Sequence, residues 1–248
     1  MSSEQKALWN AKAKTYGRFK QNDSDTLELL SFFKEHGVDF SGKNIIDIGC
    51  GNGRFSLELA KSAKNVLCFD IAQNMLDDLQ ADAKNLGIDN IKIKCADFDE
   101  NYGDLGRFDI VFAAMTPALN NEANFAHALE LYNECFCYVG WGRVRKEPLT
   151  QEVLKAHGAA LFLPKGLPDA LIWLKNAGKS PLAQQYFLRE FKHQYSLEEA
   201  IERTMMQCKM HQVNIDEKIC ADIVARHLNA HNLVEFTNVR EIGVMLIK

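Results

Sequence analysis

The sequence lacks several features that would assign it to a class at once. Its longest run without Asp, Glu, Lys or Arg covers 12 residues, from Ile110 to Asn121, and is too short to cross a bilayer. Its net charge of −4 provides no general electrostatic attraction for nucleic acid or for an anionic membrane. We therefore expect neither nucleic acid nor a membrane as a partner.

Signals for secretion and for metal binding are also missing. The first 20 residues carry five cations but no apolar segment, so a secretory signal is not expected. The seven cysteines include no Cys-x-x-Cys pair and are predicted to be apolar core residues in a reducing, cytoplasmic compartment. His227 and His231 have ligand spacing, and Cys135 and Cys137 share a strand face, but no third ligand is evident. No metal is predicted.

One segment of the chain, Ile45 to Phe55, carries the strongest signal. It reads IIDIGCGNGRF, an apolar β-branched strand that ends in three glycines at alternate positions, with a helical pattern directly afterwards. A turn without side chains allows a ligand to lie against the backbone. Asp70 ends the next apolar run, 21 residues beyond Gly49 (70 − 49), a distance that suits a second strand whose carboxylate meets a ribose.

Apolar periodicity predicts strands and helices that alternate along most of the chain. Repeated βα units of this kind imply a doubly wound, mostly parallel, Rossmann-like α/β sheet of seven strands with helices on both faces. The predicted strands are 43–48, 66–70, 91–95, 108–113, 135–141, 184–195 and 238–248. The predicted helices are 4–20, 23–36, 54–63, 73–86, 121–132, one opened by Ser196, and 216–231.

The whole chain, 1–248, is expected to form one domain. Residues 1–36 are predicted to be a helical lid, and residues 37–141 the cofactor-binding core. Residues 142–183 hold four of the five prolines and are predicted to be an inserted cap. Residues 184–248 would complete the sheet.

Two ligand classes use a strand, a glycine turn and a ribose acid. Nicotinamide enzymes favour Gly-x-Gly-x-x-Gly, with the pyrophosphate at a helix N-terminus. Here Arg54 stands where the third glycine would be, and Asp47, just before the turn, would repel a pyrophosphate. Asp47 instead suits a ligand with positive charge, such as an amino-acid ammonium beside a sulfonium. A Walker loop is absent, because no Gly-Lys-Ser/Thr follows the turn.

At four strand ends the sequence resembles the class I S-adenosylmethionine-dependent methyltransferases, over roughly residues 40–140. The matching segments, in chain order, are DIGCGNG from Asp47, DIAQNML from Asp70, CADF from Cys95 and FDIV from Phe108. The resemblance implies S-adenosylmethionine as cofactor and S-adenosylhomocysteine as product. It also implies that Asp47 holds the ammonium group and that Asp70 accepts both ribose hydroxyls.

The same resemblance implies the rest of the cofactor site. The turn would cradle the methionine part and the ribose, apolar side chains and an acid would surround the adenine, and the end of the fourth strand would floor the site. The implied cofactor-binding residues are Asp47, Gly49, Cys50, Gly51, Gly53, Asp70, Ile71, Met75, Asp97, Phe98, Ala113 and Met115. For Met75, packing in the core is an equally good interpretation, and Asp97 also suits a loop acid.

The acceptor side is less well defined. The segment after the fourth strand lacks the Asn/Asp-Pro-Pro-Tyr/Phe motif of enzymes that methylate the amino groups of nucleic-acid bases, and the chain has no Pro-Cys dipeptide. The candidate substrate residues are Tyr16, Thr116, Asn120, Trp141 and Arg143. Turn and cap roles for Thr116 and Asn120, and simple packing for Trp141, remain open alternatives.

These patterns predict transfer of a methyl group from S-adenosylmethionine to a small molecule in a closed pocket. No catalytic residue is demanded, because in-line displacement at a sulfonium needs mainly alignment and desolvation. A homodimer is possible, since the apolar stripe of 161–174 suits either a cavity or a dimer surface. The alternatives are a non-enzymatic nucleotide-binding module and a nicotinamide-dependent oxidoreductase.

Overall fold

A computed structural model of the protein describes residues 3–14 and 16–248. The parts of the predicted lid at Met1, Ser2 and Thr15 lie outside the described residues. The α-helices are α1 Ser3–Ala13, α2 Ser24–Glu35, α3 Ser56–Ala60, α4 Gln73–Leu86, α5 Phe98–Asn101, α6 Glu122–Glu130, α7 Pro148–Ala156, α8 Leu167–Asn176, α9 Leu197–Met210 and α10 Glu217–Ala225. The strands are β1 Asn44–Ile48, β2 Asn65–Asp70, β3 Ile91–Cys95, β4 Phe108–Ala114, β5 Tyr132–Lys146, β6 Ala183–Tyr195 and β7 Val234–Ile247.

The strands form one seven-stranded sheet in the order β3-β2-β1-β4-β5-β7-β6. The pairs β3–β2, β2–β1, β1–β4 and β4–β5 are parallel. Strand order reverses beside β1, so the carboxyl ends of β1 and β4 flank the crevice where ligands of open α/β sheets bind. The predicted Rossmann-like α/β fold is confirmed.

The helices take their places for reasons that are visible in the sequence. Helix α4 buries Met75, Leu76, Leu79 and Ala83 on one face and ends at Gly87, whose φ of 67° gives a left-handed cap. Helix α2 begins after Asp23, whose carboxylate accepts from the Thr26 N–H at 3.0 Å. Ser196 caps α9 in the same way, by accepting from the Glu199 N–H at 3.3 Å.

The chain divides into two compact units. The first comprises the chain up to Gly140 together with Lys165–Gln185 and Gly243–Lys248. Strand β1 is buried from Ile45 to Ile48, because parallel strands are covered by helices on both faces. Phe112 of β4 packs against Phe33 of α2 and against Phe55.

The second unit comprises Trp141–Pro164 and Tyr186–Ile242. It has its own apolar core, made by α7, α9, α10 and the start of β7. The buried members of this core are Leu149, Val153, Leu154, Ala200, Cys208, Cys220, Ile223, Val224 and Val234. The predicted cap, 142–183, thus contributes α7 to the second unit and α8 to the first.

Across residues 3–14 and 16–248, no helix combines the length and the apolar character that a bilayer crossing needs. The same part of the chain holds no group of three His, Cys, Asp or Glu side chains arranged to bind a metal ion.

Candidate cofactor site

The glycine turn joins β1 to the short helix α3 and has a backbone that most residues disfavour. Gly49, Gly51 and Gly53 have φ values of 71°, 55° and 89°, all in the left-handed region. The Gly49 N–H donates to the Phe69 carbonyl at 2.7 Å, which ties the turn to the end of β2. The predicted strand–turn–helix unit is therefore present.

The three glycines of the turn have different surroundings. A Cβ atom on Gly49 would lie 1.8 Å from Thr116 Oγ1, so that position is closed by the chain itself. A Cβ atom on Gly51 would meet nothing within 4 Å. The middle of the turn thus faces open space, as a surface for a ligand requires, whereas Gly53 is buried against Leu79.

Asp70 lies at the end of β2 beside this open turn. Its Oδ2 accepts from the Gly51 N–H and its Oδ1 from the Ala72 N–H, each at 2.8 Å. Burial raises the pKa of Asp70, and the backbone hydrogen bonds from Ala72, Gly51 and Ile71 oppose that rise. Both carboxylate oxygens are thus oriented by the turn and by the start of α4.

Asp47 is buried directly beneath the turn, with 2% of its surface exposed. The Ser56 hydroxyl donates to Asp47 Oδ2 at 2.6 Å. Burial raises the pKa of Asp47 to about 7, the Ser56 hydrogen bond opposes the rise, and nearby Asp70 adds to it. A cation beside this carboxylate would stabilise its charged form.

The apolar residues predicted to contact adenine surround the start of α4. Ile71 and Met75 are buried, and Met75 packs with Ala13, Ala72 and Trp9. Cys50 is also buried, which raises the pKa of its thiol. These contacts suit the core interpretation of Met75 and leave its role toward a ligand a prediction.

The loop after β3 places the next pair of predicted residues. The Asp97 carboxylate accepts from the Asp99 N–H at 3.1 Å and caps α5. Phe98 is buried, with its ring edge-on to Phe69 at 6.0 Å between centroids. Their contacts with adenine likewise remain a prediction.

The carboxyl end of β4 forms the other side of the crevice. Ala113 is fully buried, and Met115 has a φ of 52°, which is uncommon for a residue with a side chain. The Met115 N–H donates to the Val139 carbonyl at 2.8 Å. Thr116 Oγ1 accepts from the Ala118 N–H at 3.1 Å, and exposed Asn120 follows that turn, so both occupy turn positions.

The segment after α1 is bound to the turn and to α4 by polar contacts that the sequence analysis missed. Asn52 Nδ2 donates to the Gly17 carbonyl at 2.5 Å. The Arg18 guanidinium pairs with Asp82 Oδ1 at 2.6 Å and also with Asp78. The partners are 35 to 64 residues apart in the chain, so only the fold brings them together.

Tyr16 belongs to the same N-terminal segment. Its side chain is exposed, and the Lys12 ammonium lies 5.7 Å from its ring centroid. Asn10 binds the start of α4 through its Oδ1, which accepts from the Asn74 N–H at 2.9 Å. The predicted role of Tyr16 toward a substrate remains a prediction.

Trp141 and Arg143 lie in the second unit. Arg143 pairs with Glu241 through two bonds, Nη2 to Oε1 at 2.8 Å and Nε to Oε2 at 2.9 Å. This pairing lowers the pKa of Glu241, and the Glu241 carboxylate neutralises the charge of Arg143 within the protein. Trp141 lies near Arg145, whose guanidinium carbon is 5.1 Å from its ring centroid.

Comparison with known proteins agrees with this geometry. Residues 45–135 match the model of a family described as a methyltransferase domain. A ubiquinone biosynthesis O-methyltransferase of Coxiella burnetii is 32% identical over 77 residues, which are 31% of this chain and 32% of that protein. The chain thus spans about a third of the length of that curated relative.

Two solved structures share the fold. A putative methyltransferase of Bacillus halodurans has a TM-score of 0.59 at 15% identity, with 90% of this chain and 98% of that chain covered. Magnesium protoporphyrin IX methyltransferase of Synechocystis, solved with bound S-adenosylhomocysteine, has a TM-score of 0.53 at 14% identity, with 98% and 94% covered. At these identities the likeness shows the fold alone.

The fold and the turn define an α/β domain of the Rossmann-like kind. Within this domain, residues 45–135, which hold the turn and strands β1 to β4, match the methyltransferase-domain family. This match supports the resemblance to S-adenosylmethionine-dependent methyltransferases that the sequence motifs indicate.

Proposed function

We propose that this protein transfers a methyl group from S-adenosylmethionine to a small-molecule acceptor. The observation that carries the proposal is the arrangement of Asp70 beside the open face of Gly51, where a ribose would meet a carboxylate and a bare backbone. When bound, S-adenosylmethionine supplies an electrophilic methyl group on a sulfonium. Its transfer breaks the sulfur–methyl bond, forms the acceptor–methyl bond and leaves S-adenosylhomocysteine, while the acceptor loses a proton.

The residues of this chain would bind and orient S-adenosylmethionine and would not themselves attack its methyl group. The two oxygens of Asp70, already oriented by backbone N–H groups, would accept from the two ribose hydroxyls. Buried Asp47 would hold the ammonium group, which in turn would keep the carboxylate charged. Ile71, Met75 and Phe98 would give the adenine an apolar surface.

The net charge of the chain and the name of a relative both support a small acceptor. Its net charge of −4 provides no general attraction for a polyanion. The Coxiella burnetii relative is named for methylation in ubiquinone biosynthesis, and that name supports a small acceptor here as well. A cytoplasmic location, a homodimer, a lid at 1–36 and a cap at 142–183 remain predictions.

Binding of S-adenosylhomocysteine to the Asp70→Asn variant tests the cofactor assignment. Isothermal titration should show affinity about 10-fold or more below that of the wild type, because an amide presents only one acceptor oxygen to the two hydroxyls. Asp89→Asn is the matched control, since Asp89 is exposed and precedes the amino end of β3, whereas Asp70 lies at the carboxyl end of β2. Equal affinity in the folded Asp70→Asn protein would refute the ribose assignment.

Labelled methyl transfer tests the reaction itself. Wild-type protein is mixed with methyl-labelled S-adenosylmethionine and a cell extract, which is then separated into small molecules, protein and nucleic acid. Label in the small-molecule fraction supports the proposal. Label confined to macromolecules contradicts the small acceptor, and no label despite tight cofactor binding indicates the binding module instead.

A further inference from the structure

The second unit holds a charge cluster, which we define as Arg145, Glu147 and Arg240. Glu147 is 1% exposed, and its Oε1 lies 2.9 Å from Arg145 Nε and 3.4 Å from Arg240 Nη2. Two guanidinium groups thus share one carboxylate oxygen. One positive charge is left over in a place that is largely removed from water.

The neighbouring histidines do not change this balance. Burial lowers the pKa of His193, and Arg240 and Arg203 lower it further while Glu147 opposes them. Burial and Arg145 lower the pKa of His211 in the same way, again opposed by Glu147. Both rings are therefore neutral near pH 7, and the charge cluster retains its single excess positive charge.

Several buried polar atoms in and beside the charge cluster lack a hydrogen-bond partner in the described part of the chain. Glu147 Oε2, Arg240 Nε and Asn238 Oδ1 are buried and have no hydrogen-bond partner among the residues that the structure describes. Buried polar groups in native proteins are nearly always paired, and a partly satisfied network is costly. Glu147 Oε2 can accept a hydrogen bond and the Arg240 Nε–H can donate one. Together they suit a ligand that carries both a donor and an acceptor.

The surroundings of the charge cluster are aromatic. The guanidinium carbon of Arg240 lies 5.7 Å from the Trp141 ring centroid and 5.1 Å from that of Phe191. Arg145 Nη1 donates to the Phe162 carbonyl at 3.2 Å, and Phe162 as a residue is 53% exposed. A ligand group could replace that single long hydrogen bond, because Phe162 lies in an irregular segment between α7 and α8.

We propose that the charge cluster binds a small 2-hydroxycarboxylate with an apolar body. The carboxylate would pair with Arg145 and Arg240, and the hydroxyl would donate to Glu147 Oε2. A monoanion neutralises the single excess positive charge, whereas a phosphate dianion would leave the charge cluster with a net negative charge. The aromatic rings would contact the apolar body. These contacts all lie within the second unit, so the inference does not depend on methyl transfer.

Calorimetric titration with phenyllactate tests this site. Two probes of similar shape each lack one function: 3-phenylpropionate has no hydroxyl, and phenyllactamide has no charge. We expect wild-type protein to bind phenyllactate about 10-fold or more tightly than either probe, since each loss leaves a buried polar group unpaired. Equal affinities for phenyllactate and phenyllactamide, or no detectable binding of phenyllactate, would overturn the proposal.

Substitution of Arg240 tests the assignment to these residues. Arg240→Gln should weaken phenyllactate binding about 10-fold or more, and Arg240→Lys should retain more of it because the charge remains. Arg226→Gln is the control, because Arg226 is an exposed arginine of the same unit that pairs with Glu152 at 3.8 Å. A folded Arg240→Gln protein with wild-type affinity contradicts the site. If that variant does not fold, the comparison of the three probes on the wild type decides.

Titration of the same samples with S-adenosylhomocysteine separates this inference from the proposed function. Loss of phenyllactate binding in Arg240→Gln with unchanged S-adenosylhomocysteine binding supports a site in the second unit. Absence of S-adenosylhomocysteine binding in every sample would refute the methyltransferase proposal and would leave the charge cluster to be judged by the carboxylate probes alone.

Discussion

At the scale of single residues, Asp47 has a measurable consequence for stability. Burial raises its folded-state pKa to about 7, whereas the pKa of an aspartate in an unfolded chain is about 3.9. The folded state therefore holds this proton more tightly than the unfolded state. The stability that the group contributes is complete below about pH 4 and is lost as the pH rises through about 7.

Asp47→Asn should remove this pH dependence. The amide oxygen can still accept from the Ser56 hydroxyl, so the fold is retained and the variant should be more stable than wild type at pH 8, by up to about 4 kcal/mol. Melting temperatures of both proteins from pH 4 to 8, without ligand, measure the difference. A difference that stays constant over this range would show that Asp47 does not titrate there.

Gly49 and Gly51 should respond differently to the same substitution. Gly49→Ala places a methyl group against Thr116 at a φ of 71°, so we expect a loss of about 2–4 kcal/mol in the free energy of unfolding. Gly51→Ala has the same backbone strain but open space, so its loss should be about 1–2 kcal/mol.

The two alanine variants also separate stability from binding. Gly51→Ala should weaken S-adenosylhomocysteine binding more than its modest loss of stability implies, because its methyl group would occupy the ligand surface. Urea unfolding and calorimetric titration on both proteins provide the two readouts. Equal losses of stability would contradict the packing around Gly49, and undiminished affinity in Gly51→Ala would contradict the ligand surface at the turn.

At the scale of elements, the segment after α1 is held to α4 mainly by Arg18. Its side chain is 49% exposed, and exposed ion pairs contribute little to stability, about 1 kcal/mol or less. The same contacts fix the segment whose Gly17 carbonyl is bound to Asn52 in the glycine turn. The effect of Arg18 should therefore appear in ligand kinetics rather than in unfolding.

Arg18→Ala should release S-adenosylhomocysteine faster with a nearly unchanged melting temperature. Stopped-flow displacement measures the dissociation rate, and we expect an increase of about 3-fold to 10-fold over wild type. Lys20→Ala is the control, since Lys20 is an exposed cation of the same segment. Identical dissociation rates in the two variants would show that the segment does not cover the ligand.

Some elements follow from the sequence alone, and others depend on distant partners. The bounds of α4 match the prediction, because its apolar face and its glycine stop are both local signals. Strand β5 was predicted to end at Trp141 but runs to Lys146. A Cβ atom on Gly142 would lie 2.6 Å from Glu241 Cγ, so that glycine marks a close approach rather than an end. The N-terminal helix ends at Ala13, well before the predicted residue 20.

The residues of the candidate site also fall into two groups, those that the sequence predicts and those that depend on distant partners. The turn and the acids at its edges could be predicted, because one strand–helix–strand unit from β1 to β2 places them. Ser56 beneath Asp47 and Asn52 against Gly17 could not, since their partners are chosen by packing between separate segments. Arg143 of β5 and Glu241 of β7 are 98 residues apart, so the sequence does not show that they pair.

At the scale of the whole molecule, a thermal-shift experiment separates the competing ligand classes. Arg54, which replaces the third glycine of a dinucleotide motif, donates from Nε to Thr26 Oγ1 at 2.7 Å and pairs with Asp25 at 2.5 Å. Its charge is therefore engaged at the start of α2, and buried Asp47 would repel a pyrophosphate. We expect S-adenosylhomocysteine at 100 times its dissociation constant to stabilise the fold by about 2.7 kcal/mol.

For a chain of 248 residues, that stabilisation corresponds to a rise in melting temperature of about 5–10 °C. NADH at the same concentration should produce no shift, because Arg54 occupies the last glycine position of the dinucleotide motif and its charge is paired with Asp25. Asp70→Asn serves as the internal control, since the shift with S-adenosylhomocysteine should shrink in that variant. A shift with NADH as large as that with S-adenosylhomocysteine would favour the oxidoreductase instead.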